Sequence, residues 1–200
     1  MSQRDYYDEH AQIFFDSTVD VDMAQLYQRV LPLLPPGASI LDAACGSGRD
    51  AAYFKRRGYS VTAFDASETL CELASAYLNQ DVHCLRFDEI EWEGVFDAVW
   101  ACASLLHVPY SELPATFERL FAALKPGGGL YCSFKYGSGE REFGGRTFTD
   151  MDESDLERTL NWTGLAFELE TWVTEDQRPG RDERWLNALI RLKEAKNPSN

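Results

Sequence analysis

The chain has 200 residues, 44% of them hydrophobic and 13% aromatic, which supplies one well-cored domain and too little material for two large ones. Its formal net charge is −14, from 33 acidic residues against 19 Lys plus Arg, and this disfavours direct contact with DNA; RNA would have to be reached through a basic partner. No apolar run approaches the ~20 residues of a membrane span, and the stretch from Met1 to His10 is polar and acidic with no signal-peptide pattern, so the sequence reads as cytoplasmic, without a membrane partner.

In chain order, Tyr6, Tyr7, His10, Ile13 and Phe14 recur at helical spacing, and a second amphipathic pattern runs from about Asp20 to Leu34. Pro35-Pro36-Gly37 closes this leader, residues 1–36. Strand and helix patterns then alternate, which predicts an α/β fold with a parallel sheet covered by helices on both faces. The first strand is Ser39 to Ala43, followed by a tight turn through Cys45, Gly46, Ser47 and Gly48 and a helix from Arg49 to Arg57 stopped by Gly58. Glycine in that turn permits positive φ and lets a ligand approach the main chain, and the helix aims its free N–H groups there. A second strand, Ser60 to Phe64, closes on Asp65, with Ser67 as the next helix cap. The third, Val82 to Phe87, ends at Asp88; the fourth, Val95 to Ala101, is apolar throughout, as a central strand should be. A helix around Pro114 to Leu124 stops at Pro-Gly-Gly before a fifth strand, Gly129 to Lys135. Tyr136 to Phe148 is glycine-rich and predicts a long loop at the ligand edge. A helix from Asp152 to Trp162 and strands Ala166 to Thr174 and Arg184 to Leu192 complete the chain. The five cysteines form no C-x-x-C pair and the three histidines are scattered, so reduced thiols and no metal are expected.

Ile40 to Asp50 (ILDAACGSGRD) carries the chemistry. Gly46, Gly48 and Ala51 alone fit a dinucleotide fingerprint. With its flanks, an acid at Asp42 and the run Cys-Gly-x-Gly-Arg-Asp, the stretch resembles motif I of the class I S-adenosylmethionine-dependent methyltransferases, although Ala44 stands where that family has its first glycine. A carboxylate beside the turn would repel a pyrophosphate. The resemblance spans nearly the whole chain. It implies a Rossmann-like, seven-stranded, mostly parallel sheet of order 3-2-1-4-5-7-6 with only strand 7 antiparallel, and S-adenosylmethionine as cofactor. It places Asp42 at the methionine end with Ala44, Cys45, Gly46, Gly48 and Arg49, Asp65 and Ala66 at the ribose, Phe87 and Asp88 at the adenine, and Ala103 after strand 4. Tyr7, Asp8, Ala11 and Phe14 resemble a Tyr-Asp-x-x-Ala-x-x-Phe leader that folds over the cofactor, which adds Tyr7.

The implied architecture is a single methyltransferase domain: leader 1–36, cofactor core 37–135, substrate lid loop 136–150, and helix with C-terminal hairpin 151–200. His107 and Tyr136 are the catalytic candidates; His107 is also open to a purely structural reading among Leu105, Leu106 and Val108. Lys135, Glu140, Arg146, Arg178 and Arg181, with Arg141 and Arg184, fall on segments that meet above the strand ends. They are open to two readings, an acceptor site for an anion or pairing with Glu140, Glu142, Asp182 and Glu183. The reaction expected is in-line methyl transfer to a small anionic or thiol/chalcogen acceptor by a monomer or homodimer. Length and motif are similar to the tellurite-resistance type, with some similarity to carboxymethyl-uridine tRNA methyltransferases. A tRNA wobble-uridine methyltransferase with a basic partner and a non-catalytic cofactor-binding module are the alternatives.

Overall fold

A computed structural model describes residues 3–176, 178 and 180–193. Helices α1 (Gln3–Glu9), α2 (Ala11–Thr18) and α3 (Ala24–Val30) form the leader. There follow β1 (Ser39–Ala43), α4 (Arg49–Arg56), β2 (Ser60–Asp65), α5 (Glu68–Leu78), β3 (His83–Cys84), β4 (Phe96–Ala101), α6 (Leu113–Ala123) and β5 (Leu124–Lys135). A hairpin of β6 (Gly139–Phe143) and β7 (Arg146–Asp150), then α7 (Glu153–Asn161), β8 (Phe167–Glu175) and β9 (Arg184–Leu192) complete it. The main sheet has the order β3-β2-β1-β4-β5-β9-β8, and β9 alone runs antiparallel to its neighbours. With β8 and β9 as the sixth and seventh strands, this is the expected topology.

Alternation along the central strands explains why both faces are covered. Leu41, Val99 and Leu130 join one core with Phe117, Leu120, Leu156 and Leu160 of α6 and α7. Their chain neighbours Ile40, Trp100 and Tyr131 point the other way, into a core with Tyr27, Phe54 and Ala74 of α3, α4 and α5. Parallel β1, β2 and β4 therefore end together, and the turn after β1 opens at their carboxyl edge.

Several local expectations change. The leader's first pattern is two helices, broken at His10, whose ring stacks on Tyr6 and whose Nδ1 bonds the Tyr6 carbonyl. The second is one short helix and a 3₁₀ turn, because Pro32 supplies no N–H. The third strand shrinks to two exposed residues at the sheet edge, since Glu89 accepts from the Arg86 N–H and turns Phe87–Glu89 into a 3₁₀ helix. Pro126-Gly127-Gly128 lies within β5 as an irregularity in its pairing with β4. The stretch expected to be a loop after Lys135 is the β6–β7 hairpin, turned at Gly144 and Gly145, both at positive φ.

Candidate active site

A cavity of about 920 Å³ opens at the carboxyl ends of β1, β2 and β4, roofed by α1, α2 and the hairpin. Its floor is the turn after β1, where Ala44 and Gly46 hold φ of +57° and +56°. The Gly46 N–H donates to Asp65 Oδ2 at 2.8 Å. A Cβ on Gly46 would lie 2.9 Å from the Phe14 ring, so the leader closes directly over bare backbone. Gly48 departs from expectation. Its φ is +75°, and a Cβ there would meet Leu78 of α5 at 3.2 Å; it packs α4 on α5 and does not line the cavity.

Asp42 lines the cavity and accepts the Ala51 N–H at 2.9 Å. Burial, then the neighbouring Asp50 charge, raises its pKa well above the ordinary carboxylate value. Burial raises that of Asp65 too, opposed by the N–H groups of Ser67 and Gly46. A floor holding these acids suits a ligand with cationic groups and repels a pyrophosphate. Ala66, Phe87 and Asp88, the candidates for an adenine, also line the cavity. Asp88 lies on its exposed rim and is held by Arg86 at 2.7 Å. Cys45 lines the floor, and Ala103, at φ +53°, donates its N–H to Ser133 Oγ at 2.8 Å. The donor set, the bare Gly46 and the buried, unpartnered Ser104 Oγ in the wall fit S-adenosylmethionine.

The opposite end gathers Tyr7, His107, Arg146 and Phe148. His107 Nδ1 lies 3.2 Å from the Thr147 carbonyl, which can only accept; Nδ1 therefore carries the proton, and Nε2 accepts the Tyr7 hydroxyl at 2.7 Å. Burial lowers the His107 pKa to about 4, opposed by the Thr147 bond and helped by the charges of Arg146 and Lys135. Arg146 donates to Tyr7 Oη at 3.4 Å and lies over the rings of Tyr6 (4.8 Å) and Phe148 (5.1 Å). Its Nε is buried without a hydrogen-bond partner, and no carboxylate among the described residues pairs with it.

Other candidates fall elsewhere. Tyr136 is off the cavity and donates to Glu153 at 3.0 Å, because the strand after Lys135 turns its ring outward under Arg184. Glu140 accepts the Tyr110 N–H on the surface, its alternating position on β6 facing away from the cavity. Lys135, Arg178 and Arg181 do line the cavity, but acids neutralise them: Glu183 holds Lys135 and, at 3.7 Å, Arg181, and Asp176 holds Arg178. Arg141 is likewise bound to Asp150. Among the described residues, Glu183 is the one of the expected acids seen to pair with these cations; Arg178 and Arg141 are held instead by Asp176 and Asp150, and Arg146 and Arg184 show no ion pair. Gln177 and Pro179 of the loop joining β8 and β9 lie outside the described residues.

Sequence reasoning missed the support for Arg49, a network of Asp50, Tyr27 and Trp100. The signal available was the acid directly after Arg49, at the start of a helix with an apolar inner face. It also missed Asp8 as an anchor: Asp8 accepts from Ser67 Oγ at 2.6 Å and from the Thr69 N–H at the start of α5.

Residues 40–128 match the methyltransferase domain family. The YqeM protein of Bacillus subtilis is 34% identical over 131 residues, 60% of this chain and 52% of that protein. A malonyl-[acyl-carrier protein] O-methyltransferase of Serratia marcescens is 34% identical over 100 residues, 49% of this chain and 38% of that one. The chain thus spans about half the length, or less, of these curated relatives. The structure of the Burkholderia thailandensis 1,6-didemethyltoxoflavin-N1-methyltransferase, with bound 1,6-didemethyltoxoflavin and S-adenosylhomocysteine, superposes with a TM-score of 0.75 at 22% identity. That match covers 95% of this chain and 85% of that chain and is a likeness of fold. Fold and turn together define a class I methyltransferase domain, whose cofactor is S-adenosylmethionine. The family match lies at residues 40–128, a little under half of the chain.

Proposed function

We propose that this chain methylates a small acceptor bearing an anionic group. The observation that carries the reading is Arg146. A guanidinium with a buried, unpartnered Nε, caged by Tyr6 and Phe148 on a cavity wall, retains a desolvation penalty that an anion at the cavity's acceptor end relieves. Bound S-adenosylmethionine supplies a methyl group already activated on its sulfonium, so the protein's task is alignment and exclusion of water. Asp42, Asp65 and the Gly46 backbone would hold it. Tyr6, Tyr7 and Phe14 of the leader and Phe148 of the hairpin cover the acceptor end with aromatic surface.

His107 Nε2 is a proton acceptor inside the cavity, occupied by the Tyr7 hydroxyl; a proton leaving the acceptor atom reaches it by relay through that hydroxyl. With a pKa of about 4, His107 is a weak base, which suits an acceptor atom already ionised or nearly so. The test is a mass-spectrometric screen of S-adenosylmethionine-dependent methylation across small carboxylates, phosphates, thiols and their neutral analogues. The reading predicts turnover of an anionic compound, with its KM raised about tenfold or more in Arg146→Gln and kcat changed less. Turnover of neutral compounds alone, or an unchanged KM in that variant, contradicts it.

A further inference from the structure

Arg49 begins α4 at the edge of the cavity floor and is 20% exposed there. Its Nε donates to Asp50 Oδ1 at 2.6 Å and its Nη2 to Oδ2 at 3.0 Å, a two-pronged clasp between adjacent residues. Asp50 is held in turn by the Tyr27 hydroxyl on Oδ1 at 2.5 Å and by Trp100 Nε1 on Oδ2 at 2.8 Å. Each of these donors is fixed by packing. Tyr27 stacks on Tyr53 at 4.0 Å, and Trp100, 2% exposed on β4, stacks on Tyr131 at 4.0 Å. Burial alone would raise the Asp50 pKa, yet Arg49 and these hydrogen bonds hold it below the ordinary carboxylate value, so the carboxylate stays charged. Arg49 lines the cavity, and its Nη1 bonds no other described residue.

We infer that Asp50, Tyr27 and Trp100 form a positioning unit that fixes the Arg49 guanidinium so that its free edge receives the carboxylate of the cofactor's methionine end. This rests on the cofactor reading above. The sheet order supports the placement: Asp65 ends β2, Asp42 is the last but one residue of the adjacent β1, and Trp100 lies opposite it on β4. A ligand with its ribose at Asp65 therefore lays its amino-acid end between Asp42 and Arg49. Those two offer one anion and one cation edge, the complement of a zwitterion's ammonium and carboxylate. Asp50 cancels the charge of Arg49 but leaves its donors available, so the site selects by hydrogen-bond direction more than by net charge.

The test is calorimetric titration of the full chain with S-adenosylhomocysteine and with its decarboxylated analogue, which keeps the adenosine, sulfur and amine. The wild type is expected to prefer the carboxylate-bearing compound by tenfold or more. Arg49→Lys, which keeps the charge and loses the fork, should abolish most of that preference. Tyr27→Phe and Trp100→Phe, each deleting one hydrogen bond to Asp50, should reduce it at least threefold while leaving affinity for the analogue within twofold. An undiminished preference in the folded Tyr27→Phe and Arg49→Lys variants overturns the inference, as does an equal loss for both ligands. A wild type that binds neither compound overturns the cofactor reading and the inference with it.

Discussion

Ala44 shows how one residue records both a motif and its strain. The family resemblance marked it as a substituted glycine, and the backbone keeps the glycine-like φ of +57°. An alanine there is strained, so Ala44→Gly should stabilise the fold by up to about 1 kcal/mol in urea unfolding, offset partly by the freer unfolded chain; a loss of stability would contradict the strain. Gly46→Ala should abolish binding of S-adenosylhomocysteine, because the new Cβ meets Phe14, and Phe14→Leu in the same chain should restore part of it. His107 makes a prediction in pH. Its folded pKa of about 4 lies below the ordinary 6.5, so the unfolded chain takes up the proton first. Its contribution to stability is full above about 6.5 and is lost as pH falls towards 4. Thermal melts at pH 7 and pH 5 should show a smaller drop in Tm for His107→Asn than for the wild type; equal drops would mean that His107 is not buried neutral. The places of Asp42 and Gly46 at the cavity floor were legible because a short contiguous motif carries them, and that of Asp65 because it closes the second strand. Gly48 was misread because its neighbour, Leu78, arrives from α5.

At the scale of elements, the leader and the hairpin carry the acceptor end. Asp8 fastens α1 to the first turn of α5, where free N–H groups favour a carboxylate. Asp8→Ala should cost about 1 kcal/mol and speed amide exchange in residues 3–18 relative to the sheet; unchanged exchange there would show that aromatic packing alone seats the leader. The helical spacing of Tyr7 and Phe14 was readable, but the break at His10 was not, since it rests on a ring stacked on Tyr6. The hairpin carried a local signal, Gly144-Gly145 between two polar, aromatic-bearing runs. It reads as a loop when glycine content is weighed ahead of turn type. Which cations would be free could not be read at all. Arg141, Arg146 and Arg178 look alike in sequence, and only the placement of Asp150 and Asp176 separates two neutralised arginines from one unpaired one.

Across the whole molecule, strand order was legible through the family resemblance that the turn after β1 carries; apolar runs by themselves marked only a parallel sheet with β4 at its centre. The same chain that bears 14 net negative charges lines one cavity with several guanidiniums, and among them Arg146 keeps a buried Nε without a hydrogen-bond partner. No helix among the described residues is long and apolar enough to cross a membrane. The central claim, that the turn after β1 is built for S-adenosylmethionine and against a pyrophosphate, is tested most directly by calorimetric titration with S-adenosylmethionine, S-adenosylhomocysteine and NAD. The account predicts one-to-one micromolar binding of both sulfur compounds and none of NAD. Binding of NAD, or failure of both sulfur compounds to bind, would contradict it.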